Sequence, residues 1–472
     1  MPTLSPSLEP ASTPLVQVTR DTKIRPQILD RLKDWQYVER SLHRLIAAWG
    51  RHMVDWDDKS AIHRHIWDQA EIVQKLRERT EQFPGGDSDA PVSAKLERLV
   101  NAVLLAPSFE DALEGIYEIL VRHMARIYIA YVQSAHPVHD APTVRLLHDI
   151  CTIKEQQWLW MRDYRRRHPH RVNQTYVQAI AEAWAACGCM TSALEVEGTG
   201  ARPAGVETGF QLPRWSARQS PWRPPHDIAP YIRADFAHNV ETRRLFWAIG
   251  YMMEKNLPDD QLRWIYWGHF MPWEFHYNVS RHLWDESRHG DSGYSRLKDF
   301  GIRLEEVGFA PYDVDETADD AEILNPLIPG QPLDAKGLYE EVFYIGMVAE
   351  QGHFTVKNQS FQDFRDGEDL ESAEMMLFDI IDETQHVQYA HRWLPILAGF
   401  AGTDNSDYKE RAASMRKELQ DKVLIQMEQD RLLPRTSDTP AWNHYQNLLE
   451  RVRSRCPLTN VDSAPERSPK PM

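Results

Sequence analysis

Three Glu-x-x-His spacings carry the chemistry that this sequence offers: Glu286/His289, Glu350/His353 and Glu383/His386. Residues three apart on an α-helix share a face, so each pair sets a carboxylate beside an imidazole, donor types that bind first-row transition metals. With 20 histidines in 472 residues, roughly one or two such spacings arise by chance, so a lone pair says little. Two of the three sit in a longer shared pattern, Asp285-Glu286-Ser287-Arg288-His289 and Asp382-Glu383-Thr384-Gln385-His386.

Two further carboxylates complete the arrangement. Glu254 stands 32 positions before Glu286, and Glu350 stands 33 before Glu383. The first midpoint falls near Pro272, within Gly-His-Phe-Met-Pro-Trp-Glu, and the second at Asp366-Gly367. Both are turn sequences, so the spacing predicts two antiparallel helical hairpins, each presenting Glu opposite Glu-x-x-His at one level. The acidic, proline-containing stretch at 303–335 leaves room for a long crossover between them. Glu254 precedes Asn256-Leu257-Pro258-Asp259, which can end or kink its helix, with Glu241 as the fallback. His282 shares the face of Glu286 at i−4. His282, His353 and Asp379 are candidates for an extra ligand or for support of the ligands from behind.

The elements that must position these residues read as helices. Segments such as ALEGIYEILVRHMARIYIAYV and EMMLFDIIDETQHVQYAHRWL repeat apolar residues at i, i+3, i+4 and i+7 and lack internal proline. Alternating strand patterns are scarce, so the chain is expected to be all-α. Arg64-His65-Ile66-Trp67-Asp68-Gln69 returns as Arg281-His282-Leu283-Trp284-Asp285-Glu286, with Trp56 and Trp273 each 11 residues before the paired tryptophan. Leu147, Asp149 and Ile150 pair more weakly with Leu377, Asp379 and Ile380. The repeat predicts two copies of one helical unit. Aligned on it, Glu286 falls on Gln69, His289 on Ile72, Glu254 on Gln36, Glu383 on Ile153 and His386 on Gln156. The first copy thus keeps the frame without the ligands. Residues kept in both copies, His282, Trp284, Asp285 and Asp379 among them, read as structural by that comparison.

The expected organisation is a disordered arm at 1–26, a metal-free helical domain at 27–190, a linker at 191–230, a metal-bearing domain at 231–455 and a disordered tail at 456–472. Tyr251 and Tyr344 flank the ligand helices and read as core residues before radical carriers. Trp264, Trp267, Phe270 and Trp273 read as core, or as walls of a pocket. A formal charge of −16 argues against nucleic acid or an anionic membrane as partner. Four cysteines are too few for a disulfide framework in a chain of this length. No apolar run approaches the ~18 residues of a membrane span, and the N-terminal residues do not read as a secretory signal. A cytoplasmic protein is expected.

One Glu from each of two helices and Glu-x-x-His from each of two others resembles the dinuclear site of the ferritin-like di-iron carboxylate superfamily. The resemblance covers about 230–400 and implies two ferritin-like helical bundles from an internal duplication, the first degenerate. It implies Glu254, Glu286, His289, Glu350, Glu383 and His386 as ligands of two iron ions, or manganese, with Glu286 and Glu383 bridging. No catalytic residue beyond the ligands is implied. The expected activity is that of an O2-activating oxidase or oxygenase on a small organic substrate, by hydroxylation, N-oxygenation or desaturation. No nucleotide-binding or iron–sulfur motif occurs, so an external electron donor is expected. A homodimer is compatible with the sequence. The competing readings are a ferroxidase or iron-handling protein and a non-catalytic helical interaction protein.

Overall fold

The structure, a computed structural model, describes residues 24–90, 92–190, 210, 212–213, 216–217, 226–308 and 333–458. Most of the expected arm, linker and tail lies outside those residues. Among the described residues every regular element is helical, as the apolar periodicity requires. No helix among them is long and apolar enough to cross a membrane. The chain divides into two compact units, Met1–Ala217 with Ile265–Ser280, and Arg218–Trp264 with Arg281–Met472.

In the first unit the long helices are Ile24–Gly50, Trp56–Glu81 and Ala141–Arg167, with Phe109–Leu113 and Arg122–Ser134 joined by a π-helical turn at Glu114–Val121. Asp55 caps the second of these by accepting from the backbone N–H groups of Asp57 and Asp58. The centre of the unit is polar. Lys154 Nζ donates to Glu39 Oε2 at 2.5 Å and to Gln69 Oε1 at 2.9 Å, and Tyr128 OH donates to Glu39 Oε1 at 2.7 Å. None of these four side chains meets solvent. Burial pulls the Lys154 pKa below its ordinary value against the opposing pull of Glu39. Gln36, the residue expected opposite Gln69, turns to the Ser88 carbonyl instead. Glu39, one helical turn further on, faces Gln69.

The second unit is built on Val240–Glu254, Trp273–Asp299 from Arg281 onward, Ala335–Phe343, Gln351–Asp366 and Leu370–Ala401. A second π-helical segment, Tyr344–Glu350, joins the middle pair. Asp369 ties three of these helices together. It caps Leu370–Ala401 through the Ser372 N–H and accepts from Arg244 Nε and Arg296 at 2.5 Å each. Two glycines allow closer approach than any side chain would. A Cβ at Gly293 would lie 2.3 Å from Met252 N and 2.7 Å from Ala248 O, and one at Gly346 would lie 2.4 Å from Ala390 Cβ. Gly293 therefore brings the Glu254 helix onto the Glu286 helix, and Gly346 brings the Glu350 segment onto the His386 helix.

Two outcomes follow from this packing. Gly293→Val must push two backbones apart and should lower the unfolding free energy by about 1–3 kcal/mol, read as a lower urea midpoint. Lys154→Met leaves Glu39 buried without a cation and should cost about 3–5 kcal/mol, with Glu39→Gln in the same chain restoring part of the loss.

Candidate metal centre

Four elements of the second unit converge on the expected ligands. Glu254 is the last residue of its helix, and the chain restarts at once as Asn256–Trp267, so the Asn-Leu-Pro-Asp sequence breaks the helix without unwinding it. The buried Lys255 fixes that end by donating to Ser287 Oγ at 2.9 Å and Asp291 at 2.8 Å. Glu286 and His289 lie mid-way along Trp273–Asp299. Glu350 closes the π-helical segment, a local widening common at functional sites. Glu383 and His386 lie on Leu370–Ala401.

Two groups of donor atoms result. The first joins His282, Glu286, Glu350 and His386, all buried, and the second joins Glu254, His289 and Asp379. His282 Nε2 lies 2.7 Å from Glu350 Oε1 and 3.2 Å from Glu286 Oε1, and His386 Nδ1 lies 3.2 Å from that same Glu286 oxygen. The other Glu286 oxygen, Oε2, lies 3.4 Å from His289 Nδ1. His289 Nδ1 in turn stands 3.3 Å from Glu254 Oε2 and 3.5 Å from Asp379 Oδ1. Glu286 is thus the carboxylate between the two groups. Of the remaining expected residues, Glu383 belongs to neither group; Lys357 Nζ donates to its Oε1. His353 belongs to neither as well; three residues beyond Glu350, it is turned to the exposed edge of its helix.

The atoms that converge here are close without being aligned for hydrogen bonds. Glu254 Oε2, His282 Nε2, Glu286 Oε1, His289 Nδ1, both Glu350 oxygens and His386 Nδ1 are all buried and lack a hydrogen-bond partner; Glu383 Oε2 is likewise unpartnered but lies outside both groups. Buried polar atoms are ordinarily paired, and a cluster of orphaned donors aimed at common points fits a metal ion. The set contains carboxylate and imidazole and no thiolate, which suits a divalent first-row cation.

The outward nitrogens of His386 and His289 are engaged in a crosswise pattern. His386 Nε2 meets Asp285 Oδ2 at 3.3 Å, and His289 Nε2 meets Asp382 Oδ2 at 3.3 Å. Each Asp-Glu-x-x-His motif therefore supplies the aspartate for the other motif's histidine. Arg281 donates to Asp285 at 2.8 Å, and Arg288 donates to Asp382 at 2.7 Å and to Asp285. Both guanidinium groups lie over Trp284, 5.3 and 4.9 Å from the ring centre. Such partners fix the tautomer and orient the inward nitrogen.

The electrostatics follow from this geometry. Burial works to raise Glu286, but the imidazoles of His282, His289 and His386 outweigh it and hold the carboxyl well below its ordinary range. Burial works to lower His386, yet Asp285, Glu286 and Glu350 hold it well above, and Asp382, Glu254 and Glu286 do the same for His289. Glu254 is pushed up to about 7, chiefly by burial. The carboxylates demand positive charge, which protons on the imidazoles supply and which metal ions supply in exchange for those protons.

Sequence reasoning overlooked three features. The crosswise role of Asp285 and Asp382 was legible in the doubled Asp-Glu-x-x-His. Lys357, seven residues after Glu350 and so on its face, had the spacing of an inward residue. The Tyr251 hydroxyl, which donates to Asp379 Oδ2 at 2.8 Å, left no signal in the sequence beyond its place before Glu254.

No family model matches this chain, and neither a curated protein nor a solved structure matches it significantly. The centre is therefore argued from its own atoms. Asp382→Asn keeps the shape but weakens the hold on His289, and should lower Co(II) affinity about 10- to 100-fold in a calorimetric titration.

Proposed function

We propose that the second unit is a dinuclear non-haem metal centre of the ferritin-like kind, and that the protein is an O2-activating oxidase or oxygenase of a small organic substrate. The observation that carries the reading is Glu286, whose two oxygens face two separate groups of donor atoms, all of them unpartnered except those of Asp379. Iron is the ion of choice, with manganese as the alternative. Two redox-active ions held there would supply the electrons for reducing O2, with an external donor restoring them.

The chain's own residues define the surroundings. Asp285 and Asp382 hold the imidazoles, and Arg281 and Arg288 hold those aspartates. A cavity of about 260 Å³ reaches His289 and Asp379 and is lined also by Tyr251, Arg288, Ser292 and Phe378. It offers a small molecule a path to the Glu254/His289/Asp379 group. The other group is buried at all four of its residues. Hydroxylation, N-oxygenation and desaturation are all compatible with such a site.

The reading takes the two units as copies of one bundle. The π-helical segments support this, since Glu114 and Tyr344, their first residues, stand 230 positions apart. The buried faces of the last helices support it in finer register. Thr143, Leu147, Ile150, Lys154, Gln157 and Met161 are buried, and so are Ser372, Met376, Asp379, Glu383, His386 and Ala390, each 229 positions on. Asp149 is exposed whereas Asp379 is buried, so the match of Leu147, Asp149 and Ile150 with Leu377, Asp379 and Ile380 is one residue out of step. In the corrected register Glu383 corresponds to Lys154 and His386 to Gln157. The first unit then carries Gln69, Lys154 and Gln157 where the second carries Glu286, Glu383 and His386, and we read it as a scaffold without metal.

Anaerobic Fe(II) loading followed by O2 tests the reading. The wild-type chain should consume O2 in proportion to bound iron, Glu286→Ala should abolish both uptake and consumption, and Gln69→Ala should leave both unchanged. Uptake below about one ion per chain would sink the metal reading.

A further inference from the structure

Glu383 stands where the shared motif would make it a ligand, yet it falls in neither donor group: Lys357 takes its Oε1, and its Oε2, buried and unpartnered, lies outside both, whereas Asp379, held by the same lysine, lies within the second. Lys357 also donates to Asp379 Oδ1 at 2.9 Å and lies 2.8 Å from its Oδ2. Its side chain is 1 % exposed and its ammonium lies 5.4 Å from the centre of the Tyr251 ring and 5.8 Å from that of Trp247. Tyr251 donates to Asp379 Oδ2 from the other side. Asp379 is thereby turned so that Oδ1 comes within 3.5 Å of His289 Nδ1, while Glu383 is drawn toward the lysine.

Formal charge points the same way. Five carboxylates line the centre: Glu254, Glu286, Glu350, Asp379 and Glu383. With all five ionised, two divalent cations leave one negative charge over, and the Lys357 ammonium cancels it. A third cation built into the wall lets the bundle bury a fifth carboxylate that no ion needs to hold.

Resting on the metal reading above, we propose that Asp379, rather than Glu383, is the ligand that the Leu370–Ala401 helix gives to the second ion, and that Lys357 is a positioning residue that keeps Glu383 off the metals. The two ion sites are then unlike. One takes His282, Glu286, Glu350 and His386, and the other takes Glu254, Glu286, His289 and Asp379.

The full-length chain titrated with Co(II), followed by calorimetry and by metal content after gel filtration, tests this. Wild type should take up two ions. Glu383→Gln should keep both within about 3-fold of wild-type affinity, whereas Asp379→Asn should lose the second by about 100-fold or more and keep the first, a larger loss than an outer partner's removal gives. Lys357→Met should free Glu383 to compete for the second ion and change its affinity by at least about 10-fold. Crystals of cobalt-loaded wild type give an answer that needs no variant to fold: anomalous peaks should lie beside Asp379 Oδ1 and away from both Glu383 oxygens. A peak at bonding distance from Glu383, or loss of an ion in Glu383→Gln, would overturn the proposal while leaving the metal reading standing. Wild type that takes up no cobalt overturns both.

Discussion

Charge buried inside a helical bundle is the constraint on which the rest of the second unit depends. Five carboxylates, three imidazoles and one ammonium meet between helices that would otherwise pack apolar residues. An isolated ion there would be costly, so each must find a partner of opposite sign within a few ångströms. Glu286 meets three imidazoles, and two of them, His386 and His289, turn their far nitrogens to Asp285 and Asp382. Those aspartates need Arg281 and Arg288, which lie over Trp284. The packing devices serve this network. Gly293 and Gly346 allow backbones to come close enough for short side chains to meet, and Lys255 and Asp369 pin the helices at the required level.

The first unit meets the same constraint with different groups. Glu39 is as deeply buried as any carboxylate in the second unit, and its partner is a lysine with a glutamine and a tyrosine around it. The first cluster closes on itself, with Glu39 accepting from Lys154, Gln69 and Tyr128. In the second unit the donor atoms remain orphaned and convergent. That difference, more than the number of acidic residues, separates a structural polar core from a site that can take an ion.

The helical class and the level of the ligands were legible because they rest on local periodicity and on distances along hairpins. Glu254, Glu286, His289, Glu350 and His386 come together from spacing alone. Lateral identity was harder to read. A comparison of kept residues set His282 and Asp379 aside as structural, yet both stand among the donors; the Asp149 paired with Asp379 by letters is exposed, so that pairing carried no structural information. His65, which the proposed repeat pairs with His282, meets Tyr117 OH at 2.9 Å. The pairing of the last helices slipped by one residue, since Leu147, Asp149 and Ile150 matched in letters while the buried faces run at a different offset. One residue turns a helix by about 100°, enough to exchange an inward lysine for its neighbour. Lys357 carries no metal-donor signal in the sequence, since an ammonium donates only protons.

The two donor groups differ in composition and in access, and the two differences belong together. The group with two imidazoles and two carboxylates is buried at every residue. The group with one imidazole is richer in carboxylate, contains Glu254 with 18 % of its side chain exposed, and borders the cavity through His289 and Asp379. Oxygen-rich donors in a more open position favour a hard, exchangeable ion, while imidazoles in a dry position favour a firmly held one. Lys357 sits behind the second group, between Asp379 and Glu383, where the fifth carboxylate would otherwise add an uncompensated buried charge. On the proposed assignment, a buried cation at that point would let the bundle present one carboxylate to an ion and withhold the next.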